Sequence, residues 1–198
     1  MANLISLLRI LLVFVSAYLI FVGTVTSFIS ALVVTIIVFI LDGVDGYVAR
    51  LLHEESKLGS VIDIIGDRIV ENAYWVIFAV LGWVSVIFPL ISLTRGFVTD
   101  GLRSVALSQG YTAFGSDSMQ SSKIGYLICS SRVTRVLYAV AKVLAFLLLI
   151  IANIPLATLG SPALDVTANV FAIIAIVFCV VRAIPVLVES KKFFKKED

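Results

Sequence analysis

Four aspartates, Asp42, Asp45, Asp63 and Asp67, carry the most specific chemistry in this sequence. Asp42 and Asp45 are three residues apart and Asp63 and Asp67 four apart, so on helices each pair shares a face. Gly59 and Glu71 extend the second stripe, and the connection between the pairs is short enough to make their helices antiparallel neighbours. The four carboxylates can therefore converge. Like charges held that close cannot all stay ionised without compensation. Divalent cations provide it, and carboxylate oxygens suit hard ions such as Mg²⁺ or Mn²⁺, so a site for two such cations is expected. Small residues leave room for a ligand to approach the backbone there: Gly46 and Ala49 lie one turn beyond the first pair, and Gly59 one turn before Asp63. Arg50 can grip a phosphate bidentately, and Ser56 can cap the third helix or donate to the same ligand.

These residues stand between strongly apolar stretches. Of 198 residues 61% are hydrophobic and 14% charged, and the mean hydropathy of +1.13 belongs to a membrane protein. Apolar runs approach the roughly 20 residues that a helix needs to cross a bilayer, and the alternating segments of a membrane barrel are absent. The expected fold class is an all-α integral membrane protein, with six transmembrane helices in one bundle at 4–22, 28–50, 58–81, 84–107, 125–152 and 164–188. Connections at 23–27, 82–83 and 153–163 contain no Lys or Arg, whereas 51–57, 108–124 and the tail do, so both termini are expected in the cytoplasm.

Gly23, Gly82, Gly160 and Pro162 fall at the predicted turns. The first apolar run lacks a preceding basic residue and a clear cleavage site, which reads as a retained span. Residues 1–198 read as a single membrane domain whose basic cytoplasmic tail, 189–198, suits an anionic inner leaflet. Cys129 and Cys179 read as buried small hydrophobes, and His53 as a solvated loop residue.

The aspartates and their neighbours resemble the signature of the CDP-alcohol phosphatidyltransferases, D-x-x-D-G-x-x-A-R-x8-G-x3-D-x3-D. Asp42, Asp45, Gly46, Ala49, Arg50, Gly59, Asp63 and Asp67 match every defined position. The resemblance implies a six-helix membrane enzyme of phospholipid biosynthesis, commonly homodimeric, in the cell membrane with its site open to the cytoplasm. It implies the four aspartates as ligands of two divalent metals, Asp67 as the base, and CDP-diacylglycerol as the donor, contacted by Gly46, Arg50 and Ser56 with Ala49 and Gly59 making room. The opening Asn3-x-x-Ser6-x-x-Arg9 is similar to the family's N-x-x-[ST]-x-x-R segment, which lies beside the nucleotide. No nucleic-acid partner is expected.

The acceptor is read from a second set of charges. Arg95, Asp100 and Arg103 lie within the fourth span, and Lys123, Arg132 and Arg135 follow it. Arginines inside a span are costly unless they face a polar cavity, and several beside a phosphotransfer site suggest a small phosphorylated alcohol as acceptor. The segment 94–110 is similar to the R-E-x3-T-G-L-R-x2-A-x3-G pattern of phosphatidylglycerophosphate synthases, with Gly96 in place of the glutamate and Asp100 in place of the threonine. Glycerol 3-phosphate is the favoured acceptor, with inositol 3-phosphate and phosphatidylglycerol, the cardiolipin synthase acceptor, as alternatives. Intramembrane carboxylates also occur in cation transporters, but here they cluster on one side and no through-path of polar residues is visible.

Overall fold

A computed structural model describes residues 2–51, 57–108, 122, 125–156 and 161–190. Among them every element is helical: α1 (Ala2–Val22), α2 (Val25–Leu51), α3 (Lys57–Val80), α4 (Ile87–Ser108), a π-helical turn (Tyr126–Ser130), α5 (Arg132–Ala152) and α6 (Pro162–Glu189). Among the described residues four segments are long and apolar enough to cross a membrane: Leu4–Val22, Val25–Val44, Leu127–Ala152 and Pro162–Glu189. Helices α3 and α4 have comparable length but carry the charges Asp63, Asp67, Arg68, Glu71, Arg95, Asp100 and Arg103.

Burial runs along helical stripes and is inverted relative to a soluble bundle. On α1 the buried positions are Ser6, Arg9, Val13, Ser16 and Ile20, at alternating steps of three and four, while Leu4, Leu11, Phe14 and Tyr18 face outward. On α2 the buried stripe is Phe28, Ala31, Thr35 and Val38, and Asp42 is the next position in that rhythm. Lipid replaces water outside such a bundle, so polar groups and small residues pack inward. Interhelical hydrogen bonds follow: Ser16 Oγ and Thr35 Oγ1 lie 3.0 Å apart, and Thr35 Oγ1 lies 2.8 Å from Tyr74 Oη, joining α1, α2 and α3. On α6 the buried face is rich in alanine (Ala168, Ala172, Ala175, Ala183), which lets α5 and α4 approach closely. Aromatic rings of Phe39, Tyr74, Trp75, Phe78 and Phe146 fill the centre.

The turns follow from their residues. Gly82 (φ 74°) ends α3: its N–H donates to Ala79 O at 3.1 Å and the Trp83 N–H to Phe78 O at 2.8 Å, a left-handed cap that glycine adopts without strain. After Gly23 (φ 78°), Thr24 and Ser27 cap α2 reciprocally, each backbone N–H donating to the other's hydroxyl at 3.0 and 3.1 Å. Pro162 opens α6 as its first residue. Gly160 and the tail from 191 lie outside the described residues, as do His53, Ser56 and Lys123.

The fifth predicted span, 125–152, is not one continuous helix. Ser131 is extended (φ −64°, ψ 144°) and its side chain accepts from the Thr134 N–H, so α5 starts anew there, preceded by the π-helical turn. Serine favours this because its hydroxyl satisfies an orphaned N–H at the new helix start. Thr134 Oγ1 in turn donates to Leu127 O at 3.0 Å.

Candidate functional site

Helices α1, α2 and α3 meet where the predicted carboxylates stand, because α1 packs against both of the others. Asp42 of α2 and Asp63 and Asp67 of α3 each present a carboxylate oxygen within 4.8 Å of the others. All three are about half exposed, at 46, 52 and 48%, whereas Arg9 of α1, which faces them, is 1% exposed. Its Nη1 pairs with Asp42, and its Nη2 lies 3.0 Å from Asp67 and 3.5 Å from Asp63. Nη2 makes these approaches without hydrogen-bond alignment, and Nε has no hydrogen-bond partner among the described residues. Gly66 admits the guanidinium, since a Cβ there would stand 3.1 Å from Nη2. Three carboxylates against one guanidinium leave the cluster negative and open to solvent, a set of hard oxygen donors that fits divalent cations.

The sequence places Arg9 beside a nucleotide by resemblance; the structure places its guanidinium on the aspartates. Ser6 lies one turn earlier on the same buried stripe. Asp45, Gly46, Ala49 and Arg50 lie on α2 and Asn3 on α1, with their side chains outside the described residues. Gly59 lies in the first turn of α3.

One turn beyond Asp67, Glu71 is 2% exposed and centres a second charged region. It accepts a hydrogen bond from Tyr138 Oη and one at 3.3 Å from Lys142 Nζ, both on α5. Arg68 Nη1 approaches it at 3.8 Å, and Arg95 acts on it electrostatically. Around the Tyr138 ring lie three cations: Arg182 at 5.2 Å, Lys142 at 5.4 Å and Arg95 at 6.0 Å from the centroid. Arg68 grips Asp100 bidentately, at 2.7 and 3.0 Å. It crosses at Gly96, where a Cβ would stand 3.6 Å from its Cδ. Asp100, one turn after Gly96 on the same helix, thus supplies the carboxylate that Arg68 grips as it passes Gly96.

Of the residues assigned to the acceptor, Arg95 and Arg103 join this network. Arg103 lies 3.8 Å from Asp100 and donates to Cys129 Sγ at 3.4 Å. Arg135 is half-buried on α5, and the side chain of Arg132 lies outside the described residues. Arg182, Tyr138 and Lys142 were not among the expected site residues, yet the network is built on them. The break before α5 explains part of this: with the helix interrupted, Cys129 O is free to accept from Arg182 Nη2 at 3.1 Å. Arg182 did leave a signal, as an arginine 7% exposed inside a 28-residue apolar helix. Cys129 and Cys179 are both free and buried, as expected.

The family model described as CDP-alcohol phosphatidyltransferase matches residues 1–181. The chain is also 35% identical over 82 residues to proteins named putative cardiolipin synthase from Mycobacterium tuberculosis and Mycobacterium bovis. That stretch is 40% of this chain and spans 39% of the length of those relatives.

Proposed function

This chain belongs to the CDP-alcohol phosphatidyltransferase family, and from that premise we propose that it transfers a phosphatidyl group from CDP-diacylglycerol to glycerol 3-phosphate. The products are phosphatidylglycerophosphate and CMP. The observation that carries this reading is an adjacency on α3. A half-exposed carboxylate cluster at Asp63 and Asp67 is followed, one turn on, by a more buried region in which Glu71 and Asp100 meet Arg68, Arg95, Arg103 and Lys142, with Arg182 over the Tyr138 ring. The first suits a diphosphate held through cations, and the second an acceptor that brings its own phosphate.

Asp42, Asp45, Asp63 and Asp67 would hold two divalent cations, Mg²⁺ or Mn²⁺, which when bound neutralise the donor diphosphate and stabilise the departing CMP. The chain's own residues do the rest. Arg50 aligns the diphosphate for in-line attack. Asn3, Ser6, Arg9, Gly46, Ala49, Ser56 and Gly59 line the CDP-lipid, Arg9 also holding three of the carboxylates in register. Asp67 takes the acceptor's hydroxyl proton as that oxygen bonds to the β-phosphorus. The bond from this phosphorus to the oxygen bridging to CMP breaks, and its electron pair leaves with CMP. Arg95, Arg103, Arg132 and Arg135 hold the acceptor phosphate, joined by Arg182.

In this reading all six helices span the cell membrane, both termini and the site face the cytoplasm, and the protein works as a homodimer among membrane lipids. Lys57 and Lys123 in the connections at 51–57 and 108–124, against none in the opposite connections, support that orientation. A second reading, with phosphatidylglycerol as acceptor, draws support from the names of the mycobacterial relatives. Inositol 3-phosphate would suit the same cationic region.

The test is CMP release by the purified protein with CDP-diacylglycerol and Mg²⁺ or Mn²⁺, comparing glycerol 3-phosphate, inositol 3-phosphate and phosphatidylglycerol. Release with glycerol 3-phosphate alone supports the first reading. Release only with another acceptor replaces it while keeping the carboxylate chemistry.

A further inference from the structure

Arg95 of α4 and Arg182 of α6 are both buried, yet among the described residues neither forms an ion pair with a carboxylate. The Nε of each also has no hydrogen-bond partner there. The two arginines share the ring of Tyr138, whose centroid lies 6.0 Å from the guanidinium carbon of Arg95 and 5.2 Å from that of Arg182. Tyr138 is itself buried, and its Oη donates to Glu71, which fixes the ring on α3. Lys142, one turn later on α5, donates to the other Glu71 oxygen at 3.3 Å, and Arg68 approaches that same oxygen. Glu71 is thus engaged by Tyr138, Lys142 and Arg68, and its link to Arg95 and Arg182 runs through the tyrosine ring.

We propose that Tyr138 is the positioning residue of the acceptor-phosphate site: its ring holds Arg95 and Arg182 in place while leaving their N–H groups for the phosphate. The inference rests on the acceptor reading above and adds which cations are available and what sets them.

A buried arginine needs a compensating partner. A carboxylate would provide one, but it would occupy the fork of N–H donors with which arginine binds phosphate, as Asp100 occupies that of Arg68. An aromatic face attracts a cation through its quadrupole without filling that fork. Arg182 is further steadied by one donation, from Nη2 to Cys129 O at 3.1 Å, which leaves the rest of its fork uncommitted. The other cations of the region are already matched: Arg68 and Arg103 meet Asp100, and Lys142 meets Glu71. Arg95 and Arg182 are therefore the pair that an incoming phosphate can complete, and the residue common to both is Tyr138.

The experiment uses the full chain in lipid nanodiscs with Mg²⁺ and CMP, and measures binding of inorganic phosphate and of glycerol 3-phosphate by calorimetric titration. Tyr138→Phe, followed by mono-, di- and trifluorophenylalanine at the same position, withdraws charge from the ring face while keeping its shape. Affinity for both probes is expected to fall stepwise along the series, by about tenfold at its end. A flat series overturns the proposal, because a purely structural ring would not respond to fluorine. In turnover, Tyr138→Leu is expected to raise the acceptor KM about tenfold and to leave the donor KM within about twofold, with Tyr138→Phe closer to the wild type. Equal movement of both constants, or a phenylalanine as damaging as the leucine, also overturns it. Probe binding by the wild type with a flat series removes this proposal and leaves the acceptor reading. Absence of binding of either probe by the wild type removes both.

Discussion

The carboxylate cluster at Arg9 and the cationic region at Glu71 occupy successive turns of α3 and meet the same electrostatic demand with opposite signs. In the first, three half-exposed aspartates surround one buried guanidinium. In the second, a buried glutamate stands among Arg68, Arg95 and Lys142, with Arg182 behind the Tyr138 ring. Each buries its minority charge and leaves the majority sign in excess. The exposed excess is negative, so mobile cations can complete it from solution; the more deeply buried excess is positive, so a small anion has to be admitted to it. Buried charges are costly unless paired, which makes the minority member the structural keystone; the majority members are the proposed binding groups.

Five changes would break or sharpen that contrast. The largest effect is expected from Asp67→Asn, which removes the proposed base and one of the proposed cation ligands: CMP release should fall about 10³-fold with the fold retained, and a wild-type rate would end the assignment. Chelation by EDTA should abolish turnover equally, with recovery on adding Mg²⁺ or Mn²⁺, whereas persistent activity would show that the cluster is satisfied by Arg9 alone. Glu71→Gln acts on the other region by stripping the one buried carboxylate at its centre. A loss of roughly 3–5 kcal/mol in stability is expected, measured by unfolding in detergent, and a second change of Lys142→Met should recover part of it.

Arg95→Gln removes a majority cation instead, so the acceptor KM should rise about 10-fold or more while the donor KM moves little. Equal movement of both constants would show that the two regions are one site. The smallest effect belongs to Tyr74→Phe, outside both: loss of its bond to Thr35 should cost about 0.6 kcal/mol and leave kcat unaltered.

Much of this architecture was legible locally. Hydropathy and charge place six helices within a few residues of their observed bounds, because each apolar run is its own signal and each turn has its own glycine, serine or proline. The exception is instructive: Leu127–Ala152 reads as one apolar stretch, and only the capping geometry of Ser131 reveals the break. The carboxylates were equally legible, since Asp42, Asp63 and Asp67 sit on two neighbouring helices at helical spacing. The cationic region was legible only in part. Arg95 and Arg103 belong to a recognisable segment of α4, but Tyr138, Lys142 and Arg182 carry no pattern that links them to Glu71.

By itself, then, the sequence determined the helical membrane architecture, the aspartate constellation and the family, because hydropathy, periodicity and motif spacing are all properties of short stretches of chain. The tertiary structure decided which charges meet. Arg9 reaches Asp42 and Asp67 because α1 packs on α2 and α3, and Tyr138 and Lys142 reach Glu71 across 67 and 71 positions of sequence. Such pairings depend on how helices are rotated and set in depth against one another, and that is settled by the packing of small and aromatic residues between them, which no single helix encodes.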